Sequence, residues 1–252
     1  MTFDELVAEA AAVSVDGWDF SWLDGRATEE RPPWGYQRLM GERMARASVA
    51  LDIQTGGGEV LAGVPRLAPV TVATEAWLPN RLRARRNLAP RGVTVVADAD
   101  RPSFPLRDNA FDLVVSRHPV QAWWGEIARV LAPGGTYLSQ EVGQRSVAEL
   151  VEFFLGPQSW EGRDPEQAAA MAEAAGLEVV DLRTARLRTE FLDIGSVVYF
   201  LRKVIWMVPG FTVDEYRPQL LALHRKIRDD GPFVATTTRF LIEARKNRSY
   251  VR

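Results

Sequence analysis

The sequence predicts an α/β fold built on a seven-stranded, mostly parallel sheet with helices on both faces. Two patterns lead to this prediction. Between residues 48 and 142, five short apolar runs alternate with helix-like stretches, as strand–helix–strand units do in a parallel sheet. The runs are almost continuously apolar and are bounded by Gly, Pro or Asp, which is typical of strands whose sheet is covered on both faces.

Two helices are expected before the sheet. Phe3, Leu6, Val7 and Ala10 recur at helical spacing and predict a short amphipathic helix. A second helix is expected from about residue 34 to residue 47, where the pattern changes. We therefore predict an N-terminal helical cap segment over residues 1–47.

The sheet is expected to begin at residue 48 and to alternate with helices up to residue 145. The first five strands are predicted at residues 48–53, 69–74, 92–97, 110–116 and 135–142. The helices between them are predicted near residues 58–67, 77–89 and 122–131. Three of the four connections between these strands therefore contain a predicted crossover helix.

The remaining elements are less regular. Helices are predicted at residues 146–155 and 165–175, and then at residues 193–207 and 213–228. The latter pair falls between the sixth and seventh strands, predicted at residues 177–187 and 238–245. Because both flanking strands need the sheet for pairing, residues 193–230 are predicted to be a helical insertion or lid within one domain, residues 48–252.

Composition excludes several classes of protein. The 252 residues are 46% hydrophobic and 25% charged, which allows a core of ordinary size and excludes general disorder. The absence of cysteine removes disulfides, thiolate metal sites and a cysteine nucleophile. Two histidines are too few for a histidine-rich metal site, so no metal is predicted. The net charge of −2 disfavours non-specific binding to nucleic acid.

The expected location follows from the same survey. No apolar run approaches the roughly 18 residues of a membrane span. The first residues carry acidic side chains where an export signal needs positive charge. We therefore expect a cytoplasmic protein that does not enter a membrane.

The most informative segment is a glycine-rich turn between the first strand and the following helix. Gly56, Gly57 and Gly58 allow a tight turn and close approach of a ligand to the backbone, and the free N–H groups of the helix favour an anionic group. Glu75 follows the second strand, where a carboxylate can accept hydrogen bonds from two ribose hydroxyls. Asp98 follows the third strand at the same edge of the sheet.

The turn departs from the dinucleotide-binding pattern, because Leu61 stands where a small residue is needed. An acidic Asp52 followed by Gly56 and Gly58 instead resembles the first motif of class I methyltransferases that use S-adenosyl-L-methionine (SAM). Gln54 stands where that family usually has its first glycine. The resemblance covers most of residues 48–245 and includes VATEAWLPN and EIARVLAPGGTYLSQEV, as in bacterial methyltransferase-11-like proteins. It implies a Rossmann-like fold and methyl transfer.

The resemblance also implies a set of cofactor contacts. Asp52 and the backbone of residues 56–58 would hold the amino-acid part of SAM, Glu75 would hold its ribose, and Asp98 with Ala99 would face its adenine. The side chain of Gln54 would either crowd the methionine part or donate a hydrogen bond to it. The complete set of predicted cofactor-binding residues is Asp52, Gln54, Gly56, Gly57, Gly58, Glu75, Asp98, Ala99 and Ser116.

The candidate catalytic residues follow the fourth strand, in the segment Ser116-Arg117-His118-Pro119. This segment lacks the Asn/Asp-Pro-Pro-aromatic motif of enzymes that methylate exocyclic base nitrogens, and cytosine C5 methylation needs a cysteine. His118 is the candidate base, with packing or loop capping as the alternative. Arg117 either binds an acidic substrate or pairs with Glu141 or Glu126.

Aromatic residues are concentrated in the N-terminal segment and in the insertion, which are predicted to close an acceptor chamber. Ordinary core packing is the alternative interpretation. The candidate substrate-binding residues are Trp18, Trp22, Trp34, Tyr36, Tyr199 and Trp206.

The predicted function is SAM-dependent methylation of a small organic acceptor at oxygen or nitrogen. Three alternatives remain open: a SAM-binding protein with a non-methylating activity, an RNA or protein methyltransferase, and a non-enzymatic ligand-binding module. The RNA alternative would use the arginine run at residues 81–91, whose other interpretation is a solvated helix face. The sequence leaves a homodimer open.

Overall fold

A computed structural model of the chain describes residues 1–98 and 101–248, and it contains eight strands within that range. The strands are β1 (Ala27–Glu29), β2 (Val49–Ile53), β3 (Val70–Glu75), β4 (Thr94–Ala97), β5 (Phe111–Arg117), β6 (Leu131–Val142), β7 (Leu177–Phe191) and β8 (Phe233–Lys246). The helices are α1 (Phe3–Ala12), α2 (Tyr36–Met44), α3 (Glu59–Ala62), α4 (Leu78–Leu88), α5 (Trp124–Val130), α6 (Ala148–Leu155), α7 (Pro165–Ala174), α8 (Ile194–Lys203) and α9 (Arg217–Asp230).

The strands form one mixed sheet in the order β1-β7-β8-β6-β5-β2-β3-β4. Strands β2 to β6 pair in parallel, β8 is antiparallel to β6, and β1 is antiparallel to β7. The predicted fold class, a mostly parallel α/β sheet of the Rossmann-like type, is confirmed.

The predicted strand count of seven is wrong by one, because the sequence predicts no strand before residue 48, whereas β1 lies at Ala27–Glu29. Its three residues lie in a charged segment and carry no apolar alternation. They are a strand only because they pair with β7, with Ala27 opposite Phe191 and Glu29 opposite Thr189. Pairing with a distant segment leaves no local signal in so short a strand.

Most predicted elements are present, with shifted ends. Strand β6 begins at Leu131, and β8 begins at Phe233, earlier than expected. The predicted helix 58–67 is reduced to α3, which ends before Pro65. The helical conformation is disfavoured for Val64, which precedes Pro65, so the helix does not continue to residue 67 as predicted.

By its internal contacts the chain divides into two compact units. The first unit comprises Met1–Arg31, Gln144–Glu161 and Arg186–Thr238. The second unit comprises Pro32–Gly143, Gly162–Ala185 and the described residues from Arg239 onward. The predicted boundary at residue 47 differs from this division, because residues 32–47 belong to the second unit, where the buried Trp34 and Tyr36 bind Gln140 and Ser116.

Within the first unit, α1 buries the predicted stripe of Phe3, Leu6, Val7 and Ala10 together with apolar residues of α6, α8 and α9. Thr2 and Glu5 form a reciprocal capping box at the start of α1. The N-terminal helix is therefore part of this unit's core.

Within the second unit, helices cover both faces of the sheet, as predicted. Side chains of α2, α3 and α4 bury one face with Ala50 and Leu138, and side chains of α5 and α7 bury the other with Leu51 and Tyr137. Among residues 1–98 and 101–248, no helix has the length and apolar character needed to cross a membrane.

Candidate active site

Three acidic residues stand where strands β2, β3 and β4 reach the same edge of the sheet. We call Asp52, Glu75 and Asp98 the acidic edge. All three are buried, and the backbone N–H of Asp98 donates to the carbonyl oxygen of Glu75 at 3.3 Å. The carboxyl ends of parallel strands are the usual ligand-binding edge of such sheets. The structure therefore brings together three of the predicted cofactor residues.

Glu75 connects the glycine-rich turn to β3. Its Oε2 accepts a hydrogen bond from the Gly56 N–H at 2.9 Å, and its Oε1 accepts one from the Trp77 N–H at 2.9 Å. The carboxylate of Glu75 therefore links the glycine-rich turn to the segment that follows β3.

Asp52 is completely enclosed by protein. Burial, with a smaller contribution from the negative Glu75, raises the pKa of Asp52 to about 7, although a hydrogen bond from Thr55 opposes the shift. The Thr55 hydroxyl donates to Oδ2 of Asp52 at 2.6 Å. Asp52 therefore changes its charge near neutral pH and would ionise more readily beside a cation.

Each glycine of the turn is required for its own structural reason. Gly56 and Gly58 have φ angles of 63° and 80°, in the left-handed region that favours glycine. A side chain at Gly58 would also lie 2.8 Å from Leu88 Cδ1, and the carboxylate of Glu59 occupies the corresponding space at Gly57. Close packing between the turn and α4 therefore explains part of the requirement for glycine at residues 56–58.

Gln54 also has a left-handed backbone, with φ of 55°. Its side chain reaches the loop after β5, where Nε2 donates to the Gln121 carbonyl oxygen at 2.8 Å and Oε1 accepts from the Val120 N–H at 2.7 Å. The amide that the sequence placed beside a cofactor is thus bound on both sides by protein backbone.

Ser116 lies at the end of β5 and is fully buried. Its hydroxyl donates to the Ile53 carbonyl oxygen at 3.2 Å, and its own carbonyl oxygen accepts from the Tyr36 hydroxyl at 2.7 Å. Both groups therefore connect β5 to its neighbours. The predicted cofactor contact of Ser116 stays a prediction.

Arg117 and His118 follow Ser116 directly. Arg117 is exposed and lies opposite Gln140 in the register of β5 and β6, and Arg239 lies opposite Val142 in the register of β6 and β8. His118 is half-buried, and its backbone N–H donates to the Gln140 carbonyl oxygen at 2.7 Å.

Positive charge surrounds His118. Burial, followed by the charges of Arg117, Arg239 and Arg163, lowers the pKa of His118 well below its ordinary value of 6.5. We call His118 and these three arginines the arginine edge. His118 is neutral at physiological pH.

A match to the family model described as "Methyltransferase domain" covers residues 51–139, from β2 into β6. These residues are therefore identified as a methyltransferase domain. No curated protein matches the sequence of this methyltransferase.

Solved structures share the fold of this methyltransferase at low sequence identity. A candidate methyltransferase of Bacillus halodurans C-125 is 19% identical with a TM-score of 0.59, over 83% of this chain and 98% of its own. The (4+2)-cyclase SpnF is 19% identical with a TM-score of 0.54, over 98% of this chain and 93% of its own. The Haemonchus contortus phosphoethanolamine N-methyltransferase 2, in complex with phosphomonomethylethanolamine and S-adenosylhomocysteine, is 17% identical with a TM-score of 0.53, over 98% of this chain and 61% of its own.

The residues at the acidic edge fit the cofactor that the family uses. SAM carries a ribose diol and a positive sulfonium, and the acidic edge offers hydrogen-bond acceptors and negative charge. The charge of Asp52 would respond to a bound cation, because its pKa is near neutrality. Ala99, which was predicted to face the adenine, lies outside the described residues.

The aromatic residues predicted to bind substrate fall into two groups. In the first unit, Trp18 contacts Trp206 edge to face at 5.7 Å between ring centroids, and Trp22 contacts Tyr199 at 4.9 Å. Trp34 and Tyr36 are buried in the second unit and donate hydrogen bonds to Gln140 and Ser116. The acceptor chamber stays a prediction.

Gln140 is the site residue that sequence reasoning missed. It is 4% exposed, and its amide contacts both His118 and Trp34. The sequence feature that could have identified it is a glutamine within the predicted buried strand GTYLSQEV. The neighbouring Glu141 was weighed only as a partner of Arg117, and burial raises its pKa to about 7.

The remaining candidates have structural contacts. His224 packs against Phe3 with 5.6 Å between ring centroids. In the arginine run, Arg91 donates to the Val64 carbonyl oxygen at 2.7 Å and Arg81 to the Ala76 carbonyl oxygen at 3.3 Å. No group of three or more metal-ligating side chains occurs in the part of the chain that the structure describes.

Proposed function

We propose that this methyltransferase acts on a small organic acceptor and methylates an oxygen or nitrogen atom. The observation that carries the proposal is the contrast between the acidic edge and the arginine edge at the ends of neighbouring strands β2 and β5. A cationic cofactor and an anionic acceptor would each meet charge of the opposite sign.

In this proposal Glu75 accepts hydrogen bonds from the ribose of SAM, and Asp52 and Asp98 supply negative charge beside it. The N–H groups of Gly56 and Gly58 donate within the protein, so the N–H of Gly57 is the donor of the turn that would bind the amino-acid carboxylate. When bound, SAM would supply a methyl group that passes in line from its sulfur to the acceptor atom, with S-adenosylhomocysteine as the leaving group, and an acceptor that carries a proton would release it to solvent. The contribution of the protein is then mainly to position the acceptor.

The proposed acceptor carries a carboxylate or phosphate group. Arg117, Arg163 and Arg239 place three positive charges near His118, and guanidinium groups bind carboxylates and phosphates through paired hydrogen bonds. The phosphoethanolamine enzyme is in complex with a small phosphate ester, which supports an anionic small molecule as the acceptor class.

The test begins with the cofactor. Calorimetry should show that SAM binds in the micromolar range, about −7 to −8 kcal/mol. Mass spectrometry of reactions with small amino, hydroxy and phospho acids should then show S-adenosylhomocysteine and a product heavier by one methylene. Absence of SAM binding to the wild type would contradict the proposal. SAM binding without transfer to any anionic acceptor would contradict the acceptor class.

A second candidate is a non-methylating reaction in a methyltransferase fold. Gln54 favours it, because its side chain binds Val120 and Gln121 where the family usually has glycine. The cyclase SpnF has this fold along 98% of the present chain. The consumption of SAM during the reaction distinguishes the two candidate functions. A non-methylating enzyme would convert its substrate while the amount of SAM stays constant.

A further inference from the structure

The three side chains Trp34, Gln140 and His118 form a hydrogen-bonded row in the second unit. Trp34 Nε1 lies 2.7 Å from Gln140 Oε1, and Gln140 Nε2 lies 3.0 Å from His118 Nε2. Trp34 and Gln140 are only 3% and 4% exposed. Water therefore has little access to the middle of the row, and the protein groups must satisfy one another.

The direction of each hydrogen bond follows from the chemistry of tryptophan. An indole nitrogen can only donate, so the atom of Gln140 that faces Trp34 must be the amide oxygen. The amide nitrogen of Gln140 then faces His118 and donates to it. His118 Nε2 must therefore be the acceptor, and the proton of the neutral ring lies on Nδ1.

The opposite tautomer would disrupt the row. A proton on Nε2 would require Gln140 to present its oxygen to His118, and its amide N–H groups would then face the indole N–H of Trp34. Two donors would meet in a buried site without an acceptor between them, which is a costly arrangement.

The charged groups around His118 oppose a second proton. Arg117 at the end of β5, Arg239 in β8 and Arg163 before α7 all lower the pKa of His118, in addition to its burial. A protonated His118 would also direct an Nε2–H at the donating amide of Gln140. Both effects keep the ring neutral.

We propose that Gln140, held by Trp34, is a positioning residue that fixes His118 as the Nδ1–H tautomer, so that His118 donates a hydrogen bond to the methyl acceptor instead of removing its proton. The role toward the acceptor rests on the proposed function, whereas the tautomer does not. Within residues 1–98 and 101–248, Nδ1 of His118 forms no hydrogen bond, so its N–H is available to a ligand.

The first experiment is nitrogen-15 NMR of the imidazole rings in the complete protein. The chain has two histidines, so His224→Gln identifies the resonances of His118. At pH 7 we expect a protonated Nδ1 and an unprotonated Nε2. At about pH 6.5, where an unperturbed histidine is half protonated, His118 should still be neutral. A dominant Nε2–H form, or an imidazolium at that pH, would overturn the proposal.

Two variants test the row itself. Gln140→Glu provides a carboxylate that accepts from both Trp34 and His118, and it should move the ring proton to Nε2 and raise the pKa of His118. Gln121→Glu is the matched control, because it adds the same charge on the loop after β5. Trp34→Phe removes the fixing donor and should give a mixture of tautomers. Trp123→Phe is its control, because Trp123 Nε1 has no hydrogen-bond partner within the described residues.

An activity measurement separates this inference from the proposed function. Gln140→Glu should reduce kcat by about tenfold or more while SAM affinity stays unchanged. Absence of methyl transfer in the wild type would refute the proposed function but leave the NMR result in force. Unchanged tautomers in both Gln140→Glu and Trp34→Phe would refute the positioning role even in an active enzyme.

Discussion

The acidic edge and the arginine edge stand at the ends of adjacent strands, and each contains a buried group whose pKa is shifted toward the neutral form, in opposite directions. At the acidic edge, burial and a like charge raise the pKa of Asp52 to about 7. At the arginine edge, burial and three arginines lower the pKa of His118. Asp52 can therefore acquire charge when a cation binds, whereas His118 leaves the positive charge to the arginines and acts as a neutral hydrogen-bonding group.

The largest expected effect breaks the arginine edge. His118→Gln removes the N–H that would orient the acceptor, and turnover should fall by about 10²-fold, since orientation of a reacting group contributes effects of this size. SAM affinity should stay unchanged because the acidic edge is intact. Steady-state kinetics and calorimetry measure the two quantities.

His224→Gln is the matched control for this variant, since His224 packs on Phe3 in the first unit. It should keep wild-type turnover. Full turnover in His118→Gln as well would return His118 to a structural role.

The next effect breaks the acidic edge. Glu75→Ala removes the proposed hydrogen bonds to the ribose and releases the N–H groups of Gly56 and Trp77. SAM affinity should fall by about 1.5–3 kcal/mol, as for hydrogen bonds to charged groups. Calorimetry on Glu75→Ala beside Glu59→Ala gives the comparison. An equal loss in both variants would mean that the turn, and not the ribose contact, determines affinity.

The pH dependence of stability sharpens the contrast. The unfolded chain releases the Asp52 proton near pH 3.9, whereas the folded chain keeps it to about pH 7. The folded state binds more protons between these values, so the stability that Asp52 contributes falls as pH rises through this window. Asp52→Asn should remove that loss. The stability of the variant relative to wild type should therefore be about 2 kcal/mol greater at pH 8 than at pH 5.

Urea titrations at the two pH values measure this difference. The exposed Asp24 provides the control variant Asp24→Asn, whose difference from wild type should not change between them. If the stability of Asp24→Asn relative to wild type changed by the same amount, the effect would be due to net charge and not to the burial of Asp52.

The smallest expected effect concerns the boundary between the two edges. Gln54→Gly removes the two hydrogen bonds to Val120 and Gln121 and suits the left-handed backbone at this position. Because the side chain would have to move for SAM to enter, affinity should rise by about thirtyfold, since the two hydrogen bonds together contribute about 2 kcal/mol. Calorimetry measures the affinity for SAM, and thermal unfolding measures the stability of the variant.

Gln54→Ala provides the matched comparison, because it removes the same hydrogen bonds but keeps a side chain at the positive φ. It should show the same gain in affinity with lower stability than the glycine variant. A loss of affinity in both variants would mean that the amide contacts the cofactor.

Local sequence determined the fold class and the acidic edge. The strand, glycine turn and helix at residues 49–62 depend on neighbouring residues, and the apolar runs specify which strands are buried on both faces. Parallel strands align their carboxyl ends, so the positions of Asp52, Glu75 and Asp98 in the chain were enough to place them together.

Only the tertiary structure determined the arginine edge and its row of hydrogen bonds. Trp34 and Gln140 are 106 residues apart, and Gln140 and His118 are 22 apart, so no sequence window contains the three partners. The same holds for β1, which is a strand only through its pairing with β7. The pKa values of Asp52 and His118 likewise depend on what the fold packs around them, since burial and neighbouring charge are properties of the assembled core.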